Sequence, residues 1–118
     1  MRRFSPLILV AAAAAQPAQP QQPTAFNTAI QPFLTRNCQA CHNATLSSGN
    51  LNLEAYAKPE SIETQRDGWD AILHRLRAGE MPPKGAPRPP ATELQAMTGR
   101  IDRELQRADA ALRPSPAA

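Results

Sequence analysis

Apolar residues recur at helical spacing in three stretches of this chain. The first stretch places four apolar side chains at offsets of 0, 4, 7 and 8, which is one face of a helix: Phe26, Ile30, Phe33 and Leu34. Pro32 lies within it. Because proline lacks a backbone N–H donor, we expect either a kink at Pro32 or a helix that begins there.

The other two stretches predict a second and a third helix. The second carries an apolar stripe of Trp69, Ile72, Leu73 and Leu76, and Gly79 is a natural residue for its end. The third opens with Thr92 and Gln95, the pattern of a capping box. It then keeps one apolar face for about five turns, formed by Leu94, Met97, Ile101, Leu105, Ala108 and Leu112.

The segments between these helices have no strand pattern. Residues 43–60 are rich in Asn, Ser and Gly, and Leu51 and Leu53 alternate within them, which indicates an irregular loop packed by two leucines. Residues 81–90, "MPPKGAPRPP", contain five prolines and predict a stiff, extended loop. We therefore predict a small all-α fold with three main helices and irregular loops.

The ends of the chain differ in composition from the middle. A basic start, a nine-residue apolar run and Ala13–Ala15 predict a signal peptide over residues 1–15. The alternative is an uncleaved anchor, but nine apolar residues are far fewer than the roughly 20 of a spanning helix. We then expect a Pro/Gln-rich flexible tether over residues 16–23, the folded domain over residues 24–113 and a disordered tail over residues 114–118. We expect an exported protein, periplasmic or otherwise soluble, without stable membrane insertion after cleavage.

The net charge and the size of the domain restrict the classes of partner and cofactor that are expected. Loss of Arg2 and Arg3 with the signal peptide lowers the formal net charge from +3 to +1, so nothing favours a nucleic-acid partner. The domain has few aromatic residues: Phe26, Phe33, Tyr56 and Trp69. Domains of this size often need a disulfide, a metal or a cofactor to complete the core.

The chemistry is concentrated in "CQACH", residues 38–42. On a helical turn, the side chains of Cys38 and Cys41 share a face, about 5–6 Å apart at Cβ, and His42 follows at once. Two thiols can then add to the two vinyl groups of a haem while the histidine reaches the iron from the same side. This spacing is the signature of c-type haem attachment.

Each alternative role of the two cysteines is less well supported by the sequence than haem attachment. A structural zinc needs four ligands, and His74, the remaining candidate, leaves the set one short. A thioredoxin-like dithiol needs a βαβ context, which this sequence lacks. A disulfide is possible after export but would not need His42. We therefore favour haem, with a disulfide or dithiol as the remaining alternative.

A haem held through His42 has a sixth iron position, for which three side chains compete. Met97 lies on an apolar helical stripe, where methionine usually fills the core, and His74 is best interpreted as a partly buried helix histidine. Met81 follows the predicted end of a helix and precedes two prolines, whose fixed φ angles limit the positions that its thioether can reach. We therefore expect Met81 as the distal ligand. Such a thioether ligand would raise the reduction potential relative to a second histidine.

Two axial protein ligands indicate an electron carrier rather than an enzyme. The alternative is a haem enzyme or sensor, peroxidase-like, with an open or switchable distal position and His74 as a weak candidate catalyst. Lys84 and Arg88, near Met81, form either a basic rim for an acidic redox partner or ordinary solubilising charges.

Two segments and the last helix together resemble a known family. "FLTRNCQACHNATLSSGNLNL" and "WDAILHRLRAGEMPPKGAPRPP" are similar to the planctomycete-type cytochrome c domain, a branch of the monohaem class I cytochromes c, over nearly all of residues 24–110. The resemblance implies one covalent haem c with thioethers at Cys38 and Cys41, His42 as proximal ligand and Met81 as distal ligand. It also implies periplasmic electron transfer with redox partner proteins.

The chain departs from the usual class I pattern at three places. Ile30 and Leu34 stand where a glycine and an aromatic residue are common, and the last helix has Gly99 and Arg100 in place of an aromatic residue. We expect Gly99 to allow a close approach of the first and last helices. No proline follows His42 closely, so the carbonyl group that orients its ring is expected from the loop of residues 47–51.

Overall fold

A computed structural model describes residues 9–17 and 24–113 of the chain. Residues 9–17 form neither helix nor strand, and residues 24–113 contain helices, turns and loops without a strand, which confirms the all-α prediction for these ranges. The tail at 114–118, most of the tether and the first half of the predicted signal peptide lie outside the described residues. None of the helices in the described ranges is long and apolar enough to cross a membrane.

The helices follow the predicted order with one addition. A π-helical turn, Phe26–Ile30, leads directly into α1, Gln31–Asn37; α2 is Ser61–Thr64, α3 is Arg66–Arg77 and α4 is Ala91–Leu112. Two 3₁₀ turns, Ser48–Asn50 and Leu53–Tyr56, lie in the long loop. The short helix α2 was not predicted, because four residues are too few to show a helical period.

Pro32 is accommodated by a change of helix type rather than by a break in the helical path. The N–H of Gln31 donates to the carbonyl oxygen of Phe26, so the turn before α1 is wider than an α-turn. Pro32 is then the second residue of α1, where no hydrogen bond within α1 requires its missing donor. The helix begins one residue before Pro32, close to the second of the two predicted outcomes.

Trp69 of α3 lies at the centre of the core and is fully buried. Its ring meets Phe26 and Tyr56 edge-on, with centroids 5.8 Å and 5.3 Å away, and its Nε1–H donates to the Ser61 hydroxyl at 3.0 Å. The predicted apolar stripes surround it with these buried members: Ile30, Phe33, Leu34, Leu73, Leu76, Met97, Ile101, Leu105 and Ala108. Ile72 and Leu94 are half-buried, and Leu112, which was expected on the same face, is exposed.

Ion pairs join α4 to the other helices. Arg66 of α3 donates to both carboxylate oxygens of Asp109 at 2.8 Å each, and Arg77 reaches Asp102 at 3.0 Å. Arg36 of α1 reaches Glu93 near the start of α4 at 3.1 Å. Because these pairs are partly exposed, each contributes little to stability.

Two predictions about α4 are wrong. Thr92 is not its cap: the helix begins at Ala91 after Pro90, whose backbone is extended and whose side chain offers no cap hydrogen bond. Gly99 does not mark a close approach of two helices, because a Cβ atom there would meet only Nη1 of Arg103, at 3.4 Å. The π-helical turn Phe26–Ile30 does pack against α4, but the contact does not depend on a glycine.

Candidate functional site

A cavity of about 440 Å3 lies between α3, the end of α1 and the long loop. The helix α3 provides one wall with Gly68, Ala71, Ile72, Arg75 and Leu76. Opposite it are residues of the loop and of α1, and three side chains with potential ligand atoms also border the space: Cys38, His42 and Met81. Thus three of the four predicted site residues meet at one cavity.

The turn that carries the cysteines begins where α1 ends. The N–H groups of Cys41 and His42 both donate to the carbonyl oxygen of Cys38, at 3.2 Å and 3.1 Å. Cys38 is half-buried and lines the cavity, whereas Cys41 is exposed and is not among the lining residues. Both are free thiols.

The environment of Cys38 favours its protonated form. Burial, and secondly the neighbouring Cys41 thiol, raises the pKa of Cys38 from its ordinary value of 9.0 to about 11. A redox dithiol usually has one cysteine with a lowered pKa, because the thiolate is the attacking species. The cavity therefore presents Cys38 as a neutral thiol, which counts against a thioredoxin-like role.

His42 is oriented by the backbone of the loop that was expected to hold it. Its Nδ1 lies 2.8 Å from the carbonyl oxygen of Ser48, and because a carbonyl oxygen can only accept, Nδ1 carries the hydrogen. In the neutral imidazole, a hydrogen on Nδ1 leaves the lone pair on Nε2, as a metal-ligating histidine requires. The expectation that residues 47–51 supply this carbonyl is confirmed.

The loop is fixed to the cysteine turn at several points. The Ser48 N–H donates to the Cys41 carbonyl oxygen at 3.1 Å, and the Leu53 N–H donates to that of His42 at 3.1 Å. The reversal between them uses left-handed backbone at Ser47, Gly49 and Asn50, with φ of 40°, 63° and 60°. The Ser48 carbonyl is therefore held by backbone geometry as well as by hydrogen bonds.

Asn43, the residue after His42, stabilises the same turn from inside. Its Oδ1 accepts from the N–H groups of Thr45 and Leu46 at 3.0 Å and 2.9 Å. Its Nδ2 donates to the carbonyl oxygen of Gln39 at 2.9 Å. A single asparagine thus links the residues on both sides of the histidine, a role that its sequence position did not reveal.

The turn that terminates α3 places Met81 at the cavity. Gly79 has φ of 73°, its N–H donates to the Leu76 carbonyl at 3.3 Å, and the N–H of Glu80 donates to that of Arg75 at 3.1 Å. These two bonds form a Schellman motif, which terminates the helix and turns the chain sharply. Met81, two residues after the glycine, is consequently half-buried at the cavity wall.

The competing ligands lie elsewhere. Met97 is buried in the core on α4, and His74 is exposed on α3, whereas we expected it to be partly buried. Neither residue is among those that line the cavity. His74 points outward because it falls one residue after Leu73 on the helix, off the apolar stripe.

The cavity lining includes residues that were not predicted as part of a site, among them Gly68, Tyr56 and Arg75. Gly68 and Tyr56 line the space together, and a Cβ atom on Gly68 would lie 1.8 Å from the Tyr56 hydroxyl oxygen. The only sequence signal was a glycine inside a helical pattern, which often marks a close approach. Arg75, also at the cavity, forms an ion pair with Glu80.

Comparison with known proteins gave no match to a family model, to a curated protein or to a solved structure. Within the described ranges, His, Cys, Asp and Glu side chains form no group of three or more that could hold a metal ion. Any functional assignment therefore depends on the chemistry of the cavity itself.

Proposed function

We propose that this protein is an exported monohaem c-type cytochrome that transfers single electrons. The observation that carries the proposal is that a thiol, an imidazole and a thioether, from two separate segments of the chain, border one cavity: Cys38 and His42 from the cysteine turn, and Met81 from the loop after α3. Sulfur and imidazole nitrogen are the protein ligands that haem iron takes in cytochromes c.

The donor set fits a covalently held haem. Cys38 and Cys41 are both free thiols, as addition of S–H across the two vinyl groups of a haem requires, and Cys41 lies one turn after Cys38. His42 has its Nδ1 engaged by Ser48 and keeps Nε2 for the iron. Met81 would be the distal ligand. The haem would supply an iron centre that gains and loses one electron.

The same residues favour electron transfer over an open haem site. With His42 and Met81 both on the iron, no position is left for a substrate. A peroxidase-like enzyme would need a distal acid/base side chain, and His74, the candidate for that role, is exposed and outside the cavity lining. Electron exchange with redox partner proteins is therefore the better proposal.

A class I cytochrome c-like fold is part of this proposal. It is supported by the position of the cysteine turn directly after α1, by the packing of the turn Phe26–Ile30 on α4, and by a methionine in the loop before α4. Export to the periplasm is supported by the basic and apolar start of the sequence, and c-type haem would be attached there.

The proposal is tested by asking whether haem is bound and whether the bond is covalent. The full chain is expressed in a host that attaches c-type haem, beside a matched Cys38→Ala/Cys41→Ala variant. We expect the mass of the purified protein to include one haem that stays with it in acidic acetone, and the variant to lack it. A wild-type chain without haem, or one whose haem extracts into the solvent, would overturn the proposal.

A further inference from the structure

Arg88 makes contacts that a solubilising surface charge would not make. Its Nη1 donates to the carbonyl oxygen of Pro82 at 2.6 Å, and its Nη2 lies 3.4 Å from that of Gly79. These two carbonyls stand on either side of Met81 in the sequence. One guanidinium group therefore spans the segment that presents the thioether.

Apart from Arg88, the segment of residues 79–82 is connected to the rest of the fold mainly at its α3 end. Between Gly79 and α4, the backbone of Met81 is connected to α3 by a long hydrogen bond from its N–H to the Arg75 carbonyl, at 3.4 Å. Pro82 and Pro83 contribute no N–H donors. A charged, two-pronged donor is well suited to this place, because hydrogen bonds from charged groups are about twice as strong as neutral ones.

Arg88 is itself prepared for this contact. It lies between Pro87 and Pro89, whose rings fix their φ angles, so that the backbone loses little freedom when the side chain folds back. Pro82, the closer acceptor, is buried, so its carbonyl lies against the protein rather than in open solvent. Lys84, the other cation of this loop, is exposed like Arg88 and serves as a natural comparison.

We infer that Arg88 is a positioning residue that holds Met81 at the sixth coordination position of the haem iron. The inference rests on the proposed function, since it assigns Arg88 a part in the ligand geometry of the same site. Without Arg88, the carbonyls of Pro82 and Gly79 lose a shared donor. Met81 then leaves the iron more often, and an external ligand competes more easily for the vacated position.

The test uses the full haem-loaded protein with Arg88→Ala, Arg88→Lys and the matched control Lys84→Ala. Imidazole is the probe, because it binds ferric iron only where Met81 has been displaced. We expect the apparent association constant for imidazole to rise about tenfold in Arg88→Ala, as loss of a charged hydrogen-bond donor predicts. Lys84→Ala should stay at the wild-type value, and Arg88→Lys, which keeps the charge but not the two-pronged geometry, should fall between them.

A second measurement separates positioning from general stabilisation. The weak far-red absorption of thioether-bound ferric iron should decrease in Arg88→Ala, and the reduction potential should fall with it. A variant that melts at a lower temperature while imidazole affinity and the far-red band remain at wild-type values would show a merely structural role and overturn the inference. If Arg88→Ala does not accumulate, the same comparison is made with Arg88→Lys, where unchanged affinity has the same meaning.

The failure of this inference is distinguishable from failure of the proposed function. Covalent haem in the wild type with unaltered imidazole binding in both Arg88 variants would remove Arg88 from the site and leave the cytochrome assignment intact. A wild-type chain without covalent haem would remove both.

Discussion

Gly68 and Tyr56 meet so closely that a Cβ atom on the glycine would lie 1.8 Å from the tyrosine hydroxyl oxygen and 2.8 Å from Cζ. The ring of Tyr56 therefore packs directly on the backbone of α3 at Gly68, the one glycine of this helix. Tyr56 also packs edge-on against Trp69, the next residue of α3. Because Gly68 and Tyr56 both line the cavity, the shape of its wall depends on this contact.

We expect Gly68→Ala to destabilise the protein, although alanine is the better helix former. The added methyl group would force the buried Tyr56 ring away from its place, and overpacking of this kind costs about 1–3 kcal/mol. Gly99→Ala is the matched control: its Cβ would meet only Arg103 Nη1, at 3.4 Å. There we expect the helical gain of up to about 1 kcal/mol. Chemical denaturation measures both, and equal stabilisation by the two substitutions would contradict the Tyr56 contact.

A second glycine controls the carbonyl group that orients His42. Gly49 has φ of 63° with nothing within 4 Å of its missing Cβ, so Gly49→Ala should cost only backbone strain, about 1–2 kcal/mol. The strain falls beside the Ser48 carbonyl. We therefore expect the hydrogen bond to His42 Nδ1 to weaken, the imidazole to become a less basic ligand and the reduction potential of the haem-loaded protein to rise.

Gly85→Ala provides the comparison for Gly49→Ala. Gly85 also has a left-handed backbone, with φ of 91° and open space around it, but it lies in the proline-rich loop. A similar loss of stability is expected without the rise in reduction potential, because strain in this loop acts on the Met81 side of the site and not on the Ser48 carbonyl. If both substitutions move the potential equally, the effect on His42 is not local and the role of the Ser48 carbonyl must be discarded.

Trp69 and Ser61 should be energetically coupled. The indole N–H donates to the buried Ser61 hydroxyl at 3.0 Å, and that hydroxyl donates in turn to the Tyr56 carbonyl oxygen at 3.4 Å. Ser61→Ala should cost about 1 kcal/mol, and Trp69→Phe should cost more because packing is also lost. In a double-mutant cycle, we expect the combined loss to be smaller than the sum by about 0.5–1.5 kcal/mol. Strict additivity would mean that this hydrogen bond contributes nothing.

The features that the sequence predicted correctly are those that depend on neighbours along the chain. The apolar stripes place Phe26, Trp69 and Ile101 in the core because helical spacing is a local property. Gly79 ends α3 because a left-handed residue at that position completes a Schellman motif. The Ser48 carbonyl reaches His42 because only five residues separate them and the Ser48 N–H is bonded back to the Cys41 carbonyl oxygen.

The features that were missed depend on contacts between distant segments. Tyr56 and Gly68 are separated by α2, and no period connects them. Thr92 carries a capping pattern, but Pro90 already fixes the start of α4, so the pattern has no effect. Arg88 has the same sequence character as Lys84, and only the path of the loop shows that its guanidinium returns to the backbone beside Met81.

Acid should weaken the link between α3 and α4. Two hydrogen bonds from Arg66 hold the pKa of Asp109 below its usual value of 3.8. A depressed pKa contributes stability above the usual value, and this contribution is lost as the pH falls through the lower pKa of the folded state. We expect the melting temperature to fall on acidification below pH 3.8, and to fall less steeply in Asp109→Asn.

Arg66→Gln, which removes the other partner, should flatten the same part of the profile of melting temperature against pH. A profile unaltered by either change would show that the pair does not titrate with folding.

The choice of distal ligand can be decided by three alanine substitutions, because the three candidates differ in their surroundings. Met81 is half-buried at the cavity, so Met81→Ala should abolish the far-red band of thioether-bound ferric iron and lower the reduction potential. Met97 is buried in the core, so Met97→Ala should cost about 2–5 kcal/mol in stability and keep the band. His74 is exposed, so His74→Ala should change stability by no more than about 0.5 kcal/mol and leave the spectrum unaltered. Absorption spectra and denaturation curves of the three haem-loaded variants give both readouts.

Two outcomes would contradict the assignment of Met81: a change of the iron's spin state in His74→Ala, or loss of the far-red band in Met97→Ala. Either outcome would show that the iron takes its sixth ligand from outside the cavity.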